Sequence, residues 1–187
     1  MDTVETVDTV ETGRLRLRPW RPDDIEPLAA LFAEPAMWEF PFGRGLTRKE
    51  SERFLDRHID HRATHGFAMW AAELKADKDL IGFVGLAVPA WLPEILPAVE
   101  VGYRLHPTFW GRGLATEGAE ATLRHGFECL RLDRIVGIFM PDNVASGRVM
   151  TKLGMHDCLT TKDPGLGHII QVREITVDEW RVARSAG

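Results

Sequence analysis

The chain has 187 residues, 44% apolar and 27% charged, which suits one domain with one buried core. A formal net charge of −5 argues against a nucleic-acid binder that works by neutralising phosphates. No run of about 18 apolar residues occurs, so no membrane-spanning helix is expected, and the two distant cysteines, Cys129 and Cys158, suit reduced thiols in the cytoplasm better than a disulfide framework or metal cluster.

Residues 1–12, MDTVETVDTVET, repeat Thr-Val-Glu/Asp three times and lack the basic and apolar regions of a signal peptide. They read as an acidic, disordered tail ahead of a single domain, residues 13–187. GRLRLRPW (13–20) alternates apolar and basic residues, the pattern of a half-buried strand. Asp23 or Asp24 can then cap a helix whose apolar residues are Ile25, Leu28, Leu31 and Phe32. An aromatic loop with Trp38, Phe40 and Phe42 follows. Thr47 and Glu50 have the spacing of a capping box, and the helix they start carries Leu55, Ile59 and Ala63 on one stripe and ends at Gly66.

FAMWAAEL (67–74) and LIGFVGLAV (80–88) read as strands joined by a polar turn, and AVEVGYRLHP (98–107) as a third. A glycine loop leads from it into a helix over 113–130. RIVGIFM (134–140) is a strand. Residues 143–154 form a helix, with Asn143 at its start and Gly154 at its end, and MHDCLTT and HIIQVREI are two last strands. About seven strands and about four helices describe an α/β domain around one mixed sheet.

The glycine loop HPTFWGRGLATEG (106–118) places backbone N–H groups and the positive end of a helix dipole at one point, which makes an anion site. A P-loop requires a lysine and then Ser or Thr in the first helical turn, and neither is there. A dinucleotide fingerprint requires a third glycine, where Thr116 stands, and an acidic residue ending the next strand. Asp133 precedes its strand instead. Both nucleotide readings are disfavoured, and with them a nucleotide-dependent oxidoreductase.

Residues 12–180 resemble the GNAT superfamily of acetyl-coenzyme A-dependent N-acetyltransferases, and within it the RimJ/RimL branch that acetylates ribosomal-protein N-termini. RLRLRPWRPDD, VEVGYRLHPTFWGRGLATEGAEATLRHGF, RIVGIFMPDNVASGRVMTKLGM and REITVDEW carry the resemblance. It implies a GNAT fold with a mostly antiparallel central sheet. It implies acetyl-coenzyme A as cosubstrate, no metal, and a primary amine as acceptor, either a protein N-terminus or a small molecule such as an antibiotic or polyamine. It further implies a monomer or homodimer.

By the same resemblance Leu105 and residues Gly111, Arg112, Gly113, Leu114, Ala115 and Thr116 would bind the coenzyme, their amides holding its pyrophosphate. Trp110 replaces the polar residue that begins the superfamily's loop pattern. Asn143 would bond the pantetheine arm and Ser146 would lie near the sulfur. Lys152 is either a phosphate contact or a solvated lysine.

Transfer from a thioester to an amine needs a base and positioned donors. Glu100 is the candidate base, since burial would suit its pKa to the task, with a water chain as the alternative route for the proton. The tyrosine by which many of these enzymes protonate the leaving sulfur is replaced by Met150. Tyr103, the only tyrosine, lies on another strand, so Ser146 or water is expected to serve. Trp38, Phe40 and Trp91 are the candidate wall of the acceptor site, with Glu100 also facing it. Glu34, Glu39 and Glu94 could attract an ammonium, but no spacing singles them out. His58, His61 and His65 fall on one helical stripe, which reads as a polar face rather than a zinc site. A non-catalytic acyl-coenzyme A-binding module is the alternative from another class.

Overall fold

The computed structural model describes residues 9–185. Alternation in the first basic stretch gives β2 (Leu15–Arg18), which pairs antiparallel with a short β1 (Val10–Glu11). The disordered tail expected over residues 1–12 is therefore too long. Val10 and Glu11 belong to the sheet, and the Thr12 hydroxyl donates to Glu117 at 2.6 Å. Residues 1–8 of that expected tail lie outside the described residues.

The chain continues through α1 (Ile25–Phe32), α2 (Glu39–Phe42) and α3 (Arg48–His65). At α3 the capping box forms as its spacing requires. Thr47 accepts from the Glu50 N–H, the Glu50 carboxylate accepts from the Thr47 N–H, and Gly66 closes the helix with φ +80°. At α1 the expected cap does not form. Asp24 makes no side-chain bond to the helix start and instead accepts both nitrogens of a buried Arg18 at 2.7 and 2.8 Å, while Glu73 takes that guanidinium's Nε at 2.6 Å. A buried cation left without such partners would be strongly destabilising, so the ion pair outranks the cap.

Four more strands and two helices complete the scaffold of the site: β3 (Met69–Leu74), β4 (Leu80–Ala87), β5 (Glu100–Leu105), α4 (Leu114–Glu128), β6 (Arg134–Phe139) and α5 (Val144–Lys152). The chain then forms β7 (His156–Lys162), β8 (Ile169–Thr176) and α6 (Val177–Ser185). The eight strands make one sheet in the order β1-β2-β3-β4-β5-β6-β8-β7. Beyond the expected elements, the sheet gains β1, and α2 and α6 are new helices.

Strand alternation sends successive side chains to opposite faces, and each face has its own core. Leu15, Leu17, Val84, Leu86, Val101 and Leu105 pack against α4 through Leu123 and Phe127. Met69, Ala71 and Phe83 pack on the other face against Leu28, Phe32, Phe54 and Leu55 from α1 and α3. Burying each leucine, valine, methionine or phenylalanine among them stabilises by about 1.5–3 kcal/mol. Gly118 lets α4 approach closely, since a Cβ there would lie 3.2 Å from the methyls of Val84.

One feature of the sheet creates the site. Every neighbouring pair is antiparallel except β5 and β6, which run parallel and share a single register pair, Glu100 with Val136. Beyond Glu100 the two strands separate. The wedge between them lies beside the first turns of α4 and α5.

Candidate active site

A short 3-10 turn (Pro107–Phe109) carries the chain from β5 into the glycine loop. Gly111 and Gly113 adopt φ of +72° and +76°, a conformation that glycine adopts without steric cost. Gly113 caps α4, and no side chain bonds to that helix start. The first-turn N–H groups, which no helix can satisfy internally, are left to an outside acceptor. A Cβ at Gly111 would meet nothing within 4 Å, so the loop is open on that side.

The one acid in that turn, Glu117, does not oppose an anion there. Its carboxylate is occupied by the Arg14 N–H at 2.8 Å, the Arg14 side chain at 2.6 Å and the Thr12 hydroxyl. These partners hold it ionised, against the effect of its burial. Arg14 also donates to the Arg112 carbonyl at 2.8 Å, pinning the loop to β2.

A groove of about 540 Å³ starts at this loop and runs along β5 to α5. Leu105, Gly111, Gly113, Leu114, Ala115, Thr116, Asn143 and Ser146 line it, as do Arg148 and Lys152. Arg112 does not. Its side chain is exposed, with the guanidinium carbon 5.5 Å from the Phe109 ring centroid. Two of the groove's cations, Arg148 and Lys152, come from α5, one helical turn apart, and a third, Arg104, stands on β5 where the groove meets α5. Arg148, which the sequence analysis does not single out, stands at i, i+4 from Lys152 on that helix. The indole N–H of Trp110 donates to the Leu105 carbonyl at 2.7 Å. Free first-turn amides, an open glycine backbone and two cations suit a pyrophosphate-bearing group such as that of coenzyme A.

Asn143 starts α5, its side-chain oxygen accepting from the Ser146 N–H at 3.1 Å. The Tyr103 hydroxyl donates to the Ser146 carbonyl at 3.0 Å and lies 3.1 Å from the Ser146 Oγ. Sequence reasoning sets Tyr103 aside because it stands on β5 rather than α5. The wedge between β5 and β6 brings the two elements together. Burial pushes the Tyr103 phenol up to about 12, so it is a neutral hydrogen-bond donor at any working pH.

A second cavity of about 350 Å³ lies across the wedge. Phe40, Phe42, Met69, Phe83 and Trp91 give it aromatic and apolar walls, and Glu100 lines it. Burial alone pushes the Glu100 carboxyl up to about 8. None of the described residues donates a hydrogen bond to it. Phe40, Tyr103, Arg104, Asn143 and Ser146 line both cavities, so groove and pocket meet there.

Trp38, expected in the wall, lines neither cavity. It is buried between Phe32 and Phe83, and the Arg104 guanidinium stacks 4.2 Å above its ring. Glu39 lines the groove rather than the pocket.

The histidine stripe is not a solvated face. His58 is buried against Phe54. His61 ties α3 to the strands: its Nε2 accepts from the Val88 N–H at 2.9 Å, so its Nδ1 carries the proton and donates to the Phe67 carbonyl at 2.8 Å. Burial first, with His65 adding repulsion, holds His61 below its ordinary value. That bond anchors the start of the segment bearing Trp91. Among the described residues no helix is long and apolar enough to cross a membrane, and Cys129 and Cys158 are both free and exposed.

Comparison with known proteins agrees with this geometry. A family model described as "Acetyltransferase (GNAT) domain" matches residues 14–156. The chain is 30% identical over 194 aligned positions to the FsC-acetyl coenzyme A-N(2)-transacetylase of Aspergillus fumigatus, covering 95% of this chain and 80% of that protein. Among solved structures, a GNAT-family acetyltransferase from Bacillus anthracis superposes with a TM-score of 0.75 at 21% identity, covering 91% of this chain and 99% of that one. The RimL ribosomal L7/L12 α-N-protein acetyltransferase, solved with coenzyme A, superposes with a TM-score of 0.74 at 18% identity over the same shares of the two chains.

Proposed function

The chain belongs to the GNAT acetyltransferase family, and on that footing we propose that it moves an acetyl group from acetyl-coenzyme A directly to a primary amine while both are bound. The observation that carries this is the junction. A groove with free helix-start amides and a separate pocket with a raised carboxyl share the wall formed by Tyr103, Asn143 and Ser146. A thioester laid in the groove then meets an amine held in the pocket at one point, which removes the entropic cost of bringing them together.

The residues divide the work. The α4 amides, Arg148 and Lys152 bind the pyrophosphate end. Asn143 keeps its amide nitrogen for the pantetheine arm, because its oxygen is spent on the helix cap. Glu100 takes the proton that the ammonium must lose. The amine nitrogen bonds to the carbonyl carbon, the carbon–sulfur bond breaks, and the sulfur departs with the bonding pair. No covalent intermediate with the protein is required.

The likeness to the RimL structure and the ending REITVDEW support a place beside the RimJ/RimL branch. The FsC relative, more similar in sequence, supports a different acceptor. The test is release of free thiol from acetyl-coenzyme A over N-terminal peptides, aminoglycosides, polyamines and free amino acids. Transfer to at least one of them, and its loss in Glu100→Gln without loss of coenzyme A affinity, is expected. Tight coenzyme binding with no transfer to any of them would favour the acyl-coenzyme A-binding module instead.

A further inference from the structure

Arg104 has no counter-ion among the described residues. It stands on β5, two residues beyond Gly102 and on the same face as Glu100, and it lines both cavities. Nη1 is committed to two backbone carbonyls, those of Met37 and Phe40. Nε and Nη2, with three of the five N–H donors of a guanidinium, have no partner among the described residues, and no carboxylate there pairs with the group. A half-buried cation without an anion is costly. Two carbonyls and a stacked indole place this one but do not neutralise it.

The pocket sharpens the point. Its two carboxyl groups differ: Glu100 is mostly neutral near pH 7, and Asp163 has Oδ1 tied to the Gly165 and Leu166 amides. An ammonium that enters therefore approaches a fixed positive charge where groove and pocket meet, and like charges in a half-buried site repel more strongly than in bulk water. An acceptor carrying its own anion removes that penalty and supplies the missing counter-ion. A planar guanidinium with an Nε and Nη2 edge free matches a carboxylate in two parallel hydrogen bonds.

We propose that Arg104 is the acceptor-recognition residue, and that the acceptor is an amine bearing a carboxylate and an apolar body. The body packs against Phe40, Phe42, Phe83 and Trp91. This rests on the acetyl-transfer reading. Two sources share the chemistry: a free apolar amino acid, and a peptide with an acidic residue near its N-terminus.

The test compares acceptors matched in their apolar body, with every rate expressed per free amine, because an amide also lowers the pKa of the neighbouring ammonium. L-Phenylalanine, L-leucine and L-tryptophan are set against their amides, and the peptide Ala-Glu-amide against Ala-Gln-amide, with spermidine as a cationic control. For the native protein kcat/KM should favour the acid of a pair by about 10- to 100-fold, the range of a charge-assisted bidentate contact. In Arg104→Gln that ratio should fall close to one, mostly through KM for the acid, while coenzyme A affinity holds. Arg104→Lys, which keeps the charge without the fork, should retain part of the ratio. Preference within the amino-acid pairs points to the free amino acid, and preference for Ala-Glu-amide alone to the peptide.

Equal rates for acid and amide in the native protein overturn the proposal without needing any variant to fold. So does transfer to spermidine but to no carboxylate-bearing amine, and both leave acetyl transfer intact. Equal kcat losses for acid and amide in Arg104→Gln would assign Arg104 to the thioester oxygen and also overturn it. No transfer to any amine would remove the underlying reading instead.

Discussion

Replacing Glu100 by glutamine tests its environment without any acceptor in hand. Burial raises the carboxyl from an ordinary 4.5 to about 8, so the folded state keeps its proton over a range where the unfolded chain has lost it. The sign follows: stability is full below pH 4.5 and falls as pH rises toward 8. Each pH step of one inside that range removes about 1.36 kcal/mol. Between pH 5.5 and 7.5 the native protein should therefore lose roughly 2 to 3 kcal/mol through this group. Glutamine cannot ionise and loses none of it. For a chain of this size 1 kcal/mol moves Tm by roughly 2–4 °C. The Tm of Glu100→Gln minus that of the native protein should therefore rise by roughly 5–10 °C from pH 5.5 to 7.5. Thermal unfolding followed by circular dichroism at half-unit pH steps measures it. Any fixed cost of an unpartnered amide cancels, because only the change with pH is read. A difference that stays flat across the window would show that the pocket solvates this carboxyl, and would remove the physical basis for Glu100 as a base near neutral pH.

Gly113→Val forces a branched side chain into a left-handed cap at φ +76° and should weaken coenzyme A binding at least tenfold by isothermal calorimetry; unchanged affinity would detach the loop from the pyrophosphate. Arg148→Ala with Lys152→Ala should weaken the same binding by about fivefold to tenfold at low salt, the size expected of exposed charge contacts, and by less as salt rises; equal losses at all salt concentrations would show that they act by packing. His61 is neutral in the fold and held below its ordinary value, so its contribution is present above the unfolded pKa of about 6.5 and falls away below it. Cleavage within residues 88–97 by a protease active across the range should therefore accelerate from pH 7 to pH 5.5, and His61→Gln should flatten that response.

How much of this the sequence disclosed depended on whether the signal was local. The capping box at Thr47, the glycine pair at 111 and 113 and the Asn143 cap were all legible, because a helix start is determined within four residues. β1 was hidden by an acidic repeat that resembles a tail, and its two residues are held mainly by pairing with β2. α6 had its own signal in Thr176 and Glu179, which form a capping pair at 2.7 Å, overlooked behind the strand before it. Trp38 and Arg112 were misplaced for one reason: an aromatic in a loop and an arginine between glycines look functional in one dimension. Only packing shows that the indole is a platform for Arg104 and that the guanidinium turns outward. Asp24 was offered a cap and took an ion pair with Arg18, a choice settled by strands that adjacency in sequence does not reveal.

Tyr103 is the most consequential of these displacements, because it changes where protons go. A phenol at about 12 facing a thiol whose ordinary pKa is about 8.5 would give up its proton against a pKa gap of roughly 3.5, or nearly 5 kcal/mol uphill. Tyr103 therefore fixes Ser146 through the bond its hydroxyl donates to the Ser146 carbonyl, but it does not serve as the acid, and the sulfur can leave unprotonated. One enzyme ionisation then remains in the transfer step, that of Glu100. The pH profile of kcat should show a single ascending limb with a midpoint near 8 and no descending limb through pH 9. Tyr103→Phe should lower the plateau while leaving that shape unchanged. A bell-shaped profile whose falling limb vanished in Tyr103→Phe would restore the tyrosine as an acid and overturn this division of labour.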